Sequence, residues 1–180
     1  QLHLDLIKYR IENENNIEMV FNEPKVPYRE TITKSAKAEY RHKKQSGGSG
    51  QFGEVHITIE PYFDDMPEPQ GVNIRNKEIE ELPWGGKFAF YWCIVGGAID
   101  NRYATAIKKG IMHEMTEGPL TGSNCQNIRV CIYDGKMHAV DSNDISFQLA
   151  ASHAFKMAFN EAKPQLLEPY YHLEVLCEDN

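Results

Sequence analysis

The chain has 180 residues, 41% hydrophobic and 25% charged, with a formal net charge of −7 at pH 7. That is enough for one well-buried core of ordinary domain size, in the composition of a soluble globular protein rather than a disordered or fibrous one. The longest apolar run, Phe88 to Ile99, is too short to cross a bilayer, which argues against a membrane-spanning role.

The opening residues QLHLDLIKYRI carry Leu2, Leu6, Ile7, Tyr9 and Ile11 at helical spacing, so they read as an amphipathic helix and not as a secretory signal. With neither an initiator Met nor a capping residue ahead of it, this helix is expected to have been cut from a longer protein. Ile17 to Phe21 reads as a short strand, and the prolines of NEPKVP mark a linker. Tyr28 to Lys44 suits a strand with one wet face. Between Lys25 and Ser49 lie seven Lys or Arg against two Asp or Glu, so an acidic chain carries one concentrated basic segment.

SGGSGQFG (Ser46 to Gly53) follows, and then Val55, Ile57 and Ile59 alternate with polar residues at the period of a strand. Residues 62–86, rich in proline and acids, predict a long surface excursion with a short hairpin or turn. Phe88 to Val95 predicts a buried strand. Asp100 or Asn101 can cap a helix from Arg102 to Glu117, with Tyr103, Ile107, Ile111 and Met115 on one face and Gly118-Pro119 as its stop.

Asn127 to Tyr133 predicts another strand, and KMHAVDSN a loop. Ser142 or Asn143 can cap a second helix, Asp144 to Ala162, with Ile145, Leu149, Ala150, Ala154, Phe155, Ala158 and Phe159 as its apolar stripe. Tyr170 to Cys177 predicts a last strand. The cysteines, Cys93, Cys125, Cys131 and Cys177, show no C-x-x-C or Cys/His zinc spacing, and read as reduced core thiols of a cytosolic protein.

Gly48, Gly50 and Gly53 match the G-x-G-x-x-G spacing of dinucleotide-binding loops. That loop needs an apolar strand before it and a helix after it, to offer a dipole to the pyrophosphate. Here KAEYRHKKQ precedes and an alternating strand follows, so the stretch predicts the tip of a hairpin. Beside the tip stand Arg41, His42, Lys43, Lys44 and Gln45. Cations next to a side-chain-free backbone loop suit a folded RNA read by shape and phosphate; a solvated hairpin with no partner is the plain alternative.

Other motifs are incomplete. NKEI lacks the aspartate of a guanine-reading N-K-x-D, no G-x-x-x-x-G-K-S/T occurs, and HEMTE lacks the second zincin histidine. Asp134, His138 and Asp141 are too loosely spaced for a convincing metal site, and His153 reads as an ordinary helix residue. No nucleophile–base–orienter set exists, so neither a catalytic residue nor a resident metal is expected in this segment.

Three stretches carry a family resemblance: PYRETITKSAKAEYRHKKQSGGSGQFGEVHITIEP, FYWCIVGGAIDNRYATAIKKGIMHEMTEGPLTG, and YDGKMHAVDSNDISFQLAASHAFKMAFNEAKPQLLEP. Through YRET, QSGGxGQFG, GPLxG, HxVDS and LLEP the chain resembles the fourth domain of bacterial elongation factor G, over most of its length outside residues 62–86. The resemblance implies an α+β fold, an α/β two-layer body of the ribosomal protein S5 domain 2-like type. It has a four-stranded sheet, two helices and a left-handed β-α-β crossover. It also implies a division into residues 1–25 (end of domain III), 26–166 (domain IV, with the insertion 62–86) and 167–180 (first strand of domain V).

In that family the domain mimics a tRNA anticodon arm and enters the decoding site during translocation. Carried over residue by residue, the RNA-contacting tip comprises Lys43, Lys44, Gln45, Ser46, Gly47, Gly48, Ser49 and Gly50 from one loop. Met137 and His138 come from another, and the two loops are expected to meet at one end. GTP and Mg²⁺ would belong to the parent's GTPase domain, with no cofactor in this segment. The implied partners are small-subunit rRNA and the tRNA–mRNA pair in the cytoplasm, with no membrane.

Ser49 stands where the family often has arginine, Met137 and Ala139 change the neighbours of the histidine, and residues 62–86 replace a short connection. These departures fit a specialised paralogue, and a recycling paralogue would add ribosome recycling factor as partner. A ribosomal protection protein of the tetracycline-resistance type is the nearest rival. A protein-interaction module using the Pro-rich insertion and a free-standing nucleotide-binding enzyme are rivals of other classes. The insertion itself reads more as a tolerated surface segment than as a specific contact.

Overall fold

The computed structural model describes residues 2–22, 26–45 and 50–174. Its elements in chain order are α1 (Leu2–Asn15), β1 (Arg29–Ile32), β2 (Ala36–Lys44), β3 (Gln51–Pro61), β4 (Asn76–Glu81) and β5 (Lys87–Trp92). A 3₁₀ turn (Asn101–Tyr103) then leads into α2 (Ala104–Thr116), followed by β6 (Asn124–Cys125), β7 (Ile128–Lys136), α3 (Asp144–Glu161) and β8 (Pro164–Leu167).

Five strands form the main sheet in the order β2-β3-β7-β5-β4, and a small second sheet runs β6-β1-β8. β5 and β7 are parallel neighbours joined through α2, while the β2–β3, β3–β7 and β4–β5 pairs are antiparallel. The period-two pattern of β3 places Val55, Ile57 and Ile59 on the helix-covered face, all fully buried. α3 packs on this strand, and Tyr103, Ile107, Ile111 and Met115 of the first helical stripe are buried in the same core, as the 3.6-residue spacing predicts.

Gly110 brings the two helices together. A Cβ there would stand 2.1 Å from the Gln148 carbonyl oxygen of α3, so only a residue without a side chain permits this approach. The stripe of α3 is rotated slightly from expectation. Phe147, Ala150, Ala151, Ala154, Phe155, Ala158 and Phe159 are buried, whereas Ile145 is 60% exposed. Ile145 lies on the solvent side of a first turn whose Ser146 backbone packs against Gly53 of β3.

Four departures from the sequence reading have local causes. Tyr28 to Lys44 is two strands in two sheets. The Thr33 and Lys34 N–H groups donate to the Ala162 carbonyl at the end of α3, which turns the chain between β1 and β2. Ile17 to Phe21 forms no strand: these residues have no ladder partner among the described residues, and Ile17, Val20 and Phe21 stay exposed. Tyr170 to Glu174 is likewise not a strand; the rest of that expected element lies outside the described residues.

The fourth departure concerns the insertion. The expected four-stranded sheet gains a fifth, edge strand, β4, from inside residues 62–86. Lys108 of α2 pairs with Glu78 and Glu80 and offsets one of the two charges on that face of the acidic strand. The rest of the excursion folds back over the second face of the sheet. There Tyr62, Val72 and Ile74 pack on Ala89, Tyr91, Cys93 and Cys131. Arg129, 2% exposed, lies under this cover; its guanidinium donates to Glu60 Oε1 and to the Pro67 carbonyl at 2.8 Å, 5.4 Å from the Tyr91 ring centroid. Its charge is thus met by a carboxylate, a carbonyl and a ring, as burial of a guanidinium requires.

At the base of the domain, Glu30 of β1 is fully buried. Its carboxylate accepts hydrogen bonds from Leu120 N (2.9 Å), Thr121 N (2.7 Å), Thr121 Oγ1 (2.8 Å) and Ser123 N (3.0 Å). The YRET and GPLTGS stretches are therefore the two halves of one clasp between β1 and the α2–β6 turn.

Candidate nucleic-acid interface

The far end of the sheet gathers the C-terminal end of β2, the start of β3 and the loop from Met137 to Asn143. β2 and β3 pair without interruption from Ala36↔Ile59 to Lys44↔Gln51. β2 and β3 are thus the two arms of a hairpin, as expected. Gln45 and Gly50 frame the glycine-rich stretch between them; Ser46, Gly47, Gly48 and Ser49 lie outside the described residues.

The start of β3, next to the glycine-rich stretch, meets the loop that carries His138. Phe52 N donates to the Asp141 carbonyl at 2.9 Å, and Ser142 Oγ donates to the Phe52 carbonyl at 2.9 Å. Ser142 Oγ also accepts from His138 N at 2.8 Å, and Ser142 N donates to the His138 carbonyl at 3.1 Å. Tyr103 Oη fixes the other side by donating to the Ser142 carbonyl at 3.0 Å. Ser142, anticipated only as an alternative helix cap, instead fastens the loops. Asn143 is the cap, its Oδ1 accepting from Ser146 N and Ser146 Oγ at 2.9 Å.

At this junction a Cβ on Gly50 would lie 2.9 Å from the Asp141 carboxylate, so a side chain there would have to displace Asp141. Gly53 has a steric reason, since its Cβ would lie 3.0 Å from the Ser146 backbone at the start of α3. Neither contact involves a phosphate, in keeping with the failed dinucleotide context.

His138 stands out from this junction with 57% of its side chain exposed, its ring centroid 6.2 Å from that of Phe52. Nδ1 is 3.3 Å from Asp141 Oδ2 and 3.4 Å from Val140 N. A protonated Nδ1 donates to the carboxylate, and a bare Nδ1 accepts from the amide, so both tautomers have a partner. Met137 is 41% exposed beside it.

The basic block is thinner than the sequence count implies. Arg41 is bound to Glu54, and His42 Nε2 is 2.8 Å from Gln51 Oε1. Burial raises the Glu54 carboxyl, but hydrogen bonds and charge from Arg41 and His56 outweigh it and hold the carboxyl below its ordinary range. Lys43 and Lys44 are exposed and have no ion-pair partner among the described residues. With Lys136, exposed at the end of β7 and likewise without an ion-pair partner among the described residues, they are cations this end can offer.

The loosely spaced metal candidates are not brought together. Asp141 pairs with His138, whereas Asp134 lies 4.0 Å from His56 on the second sheet face. His153 stacks on Tyr40 at 4.6 Å and is 2.9 Å from the Leu149 carbonyl, an ordinary helix-surface arrangement.

The arrangement is a two-layer α+β body of the ribosomal protein S5 domain 2-like type. The family model described as elongation factor G, domain IV, matches residues 24–77 and 75–163. An elongation factor G-like protein of Thermotoga maritima is 40% identical over 178 residues, covering 99% of this chain and 23% of that protein. Elongation factor G of the same organism is 39% identical over 175 residues, again 23% of its length. A solved structure from Thermus thermophilus superposes with a TM-score of 0.74 at 37% identity, covering 92% of this chain and 22% of that one. The chain belongs to the elongation factor G family, through its domain IV. It spans about a quarter of the length of these relatives.

Proposed function

We propose that this domain is the ribosome-facing arm of an elongation factor G-like translational GTPase, which enters the decoding site and holds the tRNA–mRNA pair as it moves. The observation that carries the reading is the fastening of the hairpin end to the His138 loop through Phe52, Asp141 and Ser142. Lys43, Lys44 and His138 are all exposed at this end of the sheet, which supports the reading. Such a surface works by position and charge and performs no bond chemistry; GTP and Mg²⁺ are used in a separate domain of the parent. Residues 26–166 form the arm in this reading, 1–25 and 167–180 belong to its neighbours, and the protein works in the cytoplasm on small-subunit rRNA, tRNA and mRNA.

The test uses the full-length protein. His138→Ala is expected to slow single-turnover translocation without changing nucleotide binding; an unchanged rate removes His138 from the role. Lys43→Ala with Lys44→Ala is expected to reduce the slope of log affinity against log salt by between about 1 and 2. Loss of subunit splitting with intact translocation in the same variants would instead assign the arm to ribosome recycling.

A further inference from the structure

A second concave site adjoins the fastened loops, and the sequence reading did not anticipate it. It is a cavity of about 610 Å³ between the start of β4, the end of β5 and the loop leading to α2, with Met137 on its rim. The inserted segment builds one wall: Arg75 N donates to the Trp92 carbonyl at 2.8 Å, which pins Arg75 and Asn76 beside the end of β5.

The chemistry of the wall is divided. Trp92, Ile94 and Ile99 make a narrow apolar floor, each with 6% or less of its surface exposed. Asn76 already donates its amide to Glu78 Oε1 at 3.2 Å, leaving its carbonyl oxygen as an acceptor. The Asn101 carboxamide is on the opposite wall, with no hydrogen bond among the described residues. The exposed Arg75 guanidinium has no ion-pair partner among the described residues. Asp100 is the opposing charge, but its carboxylate caps Arg102 N at 3.0 Å and lies 3.8 Å from Arg102 Nε. Part of the mouth is bare backbone: Gly96 and Gly97 both have φ of +73°, and a Cβ on either would meet nothing within 4 Å. Glycine is needed there for the backbone conformation, and the result is a stretch of rim without side chains at these two positions.

We propose that this cavity takes one unpaired nucleotide of single-stranded RNA. The base enters the apolar slot, its polar edge faces Asn76 and Asn101, and its phosphate lies on Arg75. Unstacked bases are read by this combination of apolar surface, amide and guanidinium, and duplex RNA cannot supply one. The inference rests on the RNA-facing reading of the adjoining loops, but it adds a base-reading site to a surface that otherwise offers charge alone.

Amide NMR of the 180-residue chain, titrated with a mixed-sequence single-stranded octaribonucleotide, an RNA duplex and inorganic phosphate, tests it. The single strand is expected to shift the signals of Gly96, Gly97 and Asn101. Arg75→Ala is expected to weaken that binding about tenfold, the loss of one charge-assisted contact. Arg75 is exposed, and unchanged core signals check that the variant stays folded. Shifts confined to Lys43, Lys44 and His138 overturn the pocket while leaving the RNA-facing reading standing; no shift anywhere overturns both. Equal effects from duplex or from inorganic phosphate overturn the base slot.

Discussion

Removing the Glu30 carboxylate tests whether the base clasp holds the domain together. Glu30→Ala leaves three peptide N–H groups and one hydroxyl without their acceptor, in a site where the glutamate has no exposed surface. A buried donor left unmet costs about 1–3 kcal/mol. Thr121 and Gly122 are exposed, so the turn can relax toward water, and the low end applies, giving about 4 kcal/mol in all. Glu30→Gln preserves the volume and one oxygen. Set with that oxygen at the Oε1 position, it keeps the bonds from Thr121 and Ser123 and turns its amide toward Leu120 N, at a cost of about 2 kcal/mol. A chain of this size loses about 2–4 °C of Tm per kcal/mol, so the alanine variant should melt about 8–16 °C lower and the glutamine variant about 4–8 °C lower. Thermal unfolding followed by circular dichroism measures both. An alanine variant within about 2 °C of the parent, or one more stable than the glutamine variant, would refute the reasoning.

Gly110→Ala should cost about 3 kcal/mol or more in urea unfolding, because its Cβ would meet the Gln148 carbonyl oxygen at 2.1 Å and force the helices apart. The Glu54 carboxyl is held below its ordinary range, so its contribution to stability is complete above about pH 4.3 and is lost as pH falls through the depressed folded value. A Glu54→Gln variant should therefore show a shallower acid limb in a pH series of urea midpoints. Cys93, Cys125 and Cys131 are buried, and burial pushes the Cys125 thiol up. A thiol reagent should label these three only on unfolding. Deleting residues 64–74 should speed labelling of Cys93 and Cys131, which the insertion covers, and leave Cys125 protected.

Periodicity made β3, β5, α2 and most of α3 legible, because each buries one regular face. It could not reveal β4: NKEIEE is wholly exposed and becomes a strand through pairing with β5 and partial neutralisation by Lys108, both set by tertiary contact. β8 was hidden for a similar reason, as four residues paired only with β1. At the fastened loops, composition pointed to the hairpin and its lysines, and family resemblance pointed to His138. The role of Ser142 was masked because the same residue type before a helix normally signals a cap. Arg75 was hidden inside an excursion read as surface, although N-I-R-N beside a strand was the available signal.

The continuous strand β3 has a mechanical consequence. Its eleven residues run from Pro61 at the base to Gln51 at the loops, about 36 Å at strand rise, with β2 on one side and β7 on the other. A load applied at the loop end acts along the strand, so both hydrogen-bond ladders resist it together in shear instead of unzipping one bond at a time. The strand therefore works as a strut, and the register shift between His56 and Ile57 in the β7 ladder marks where it would bend first.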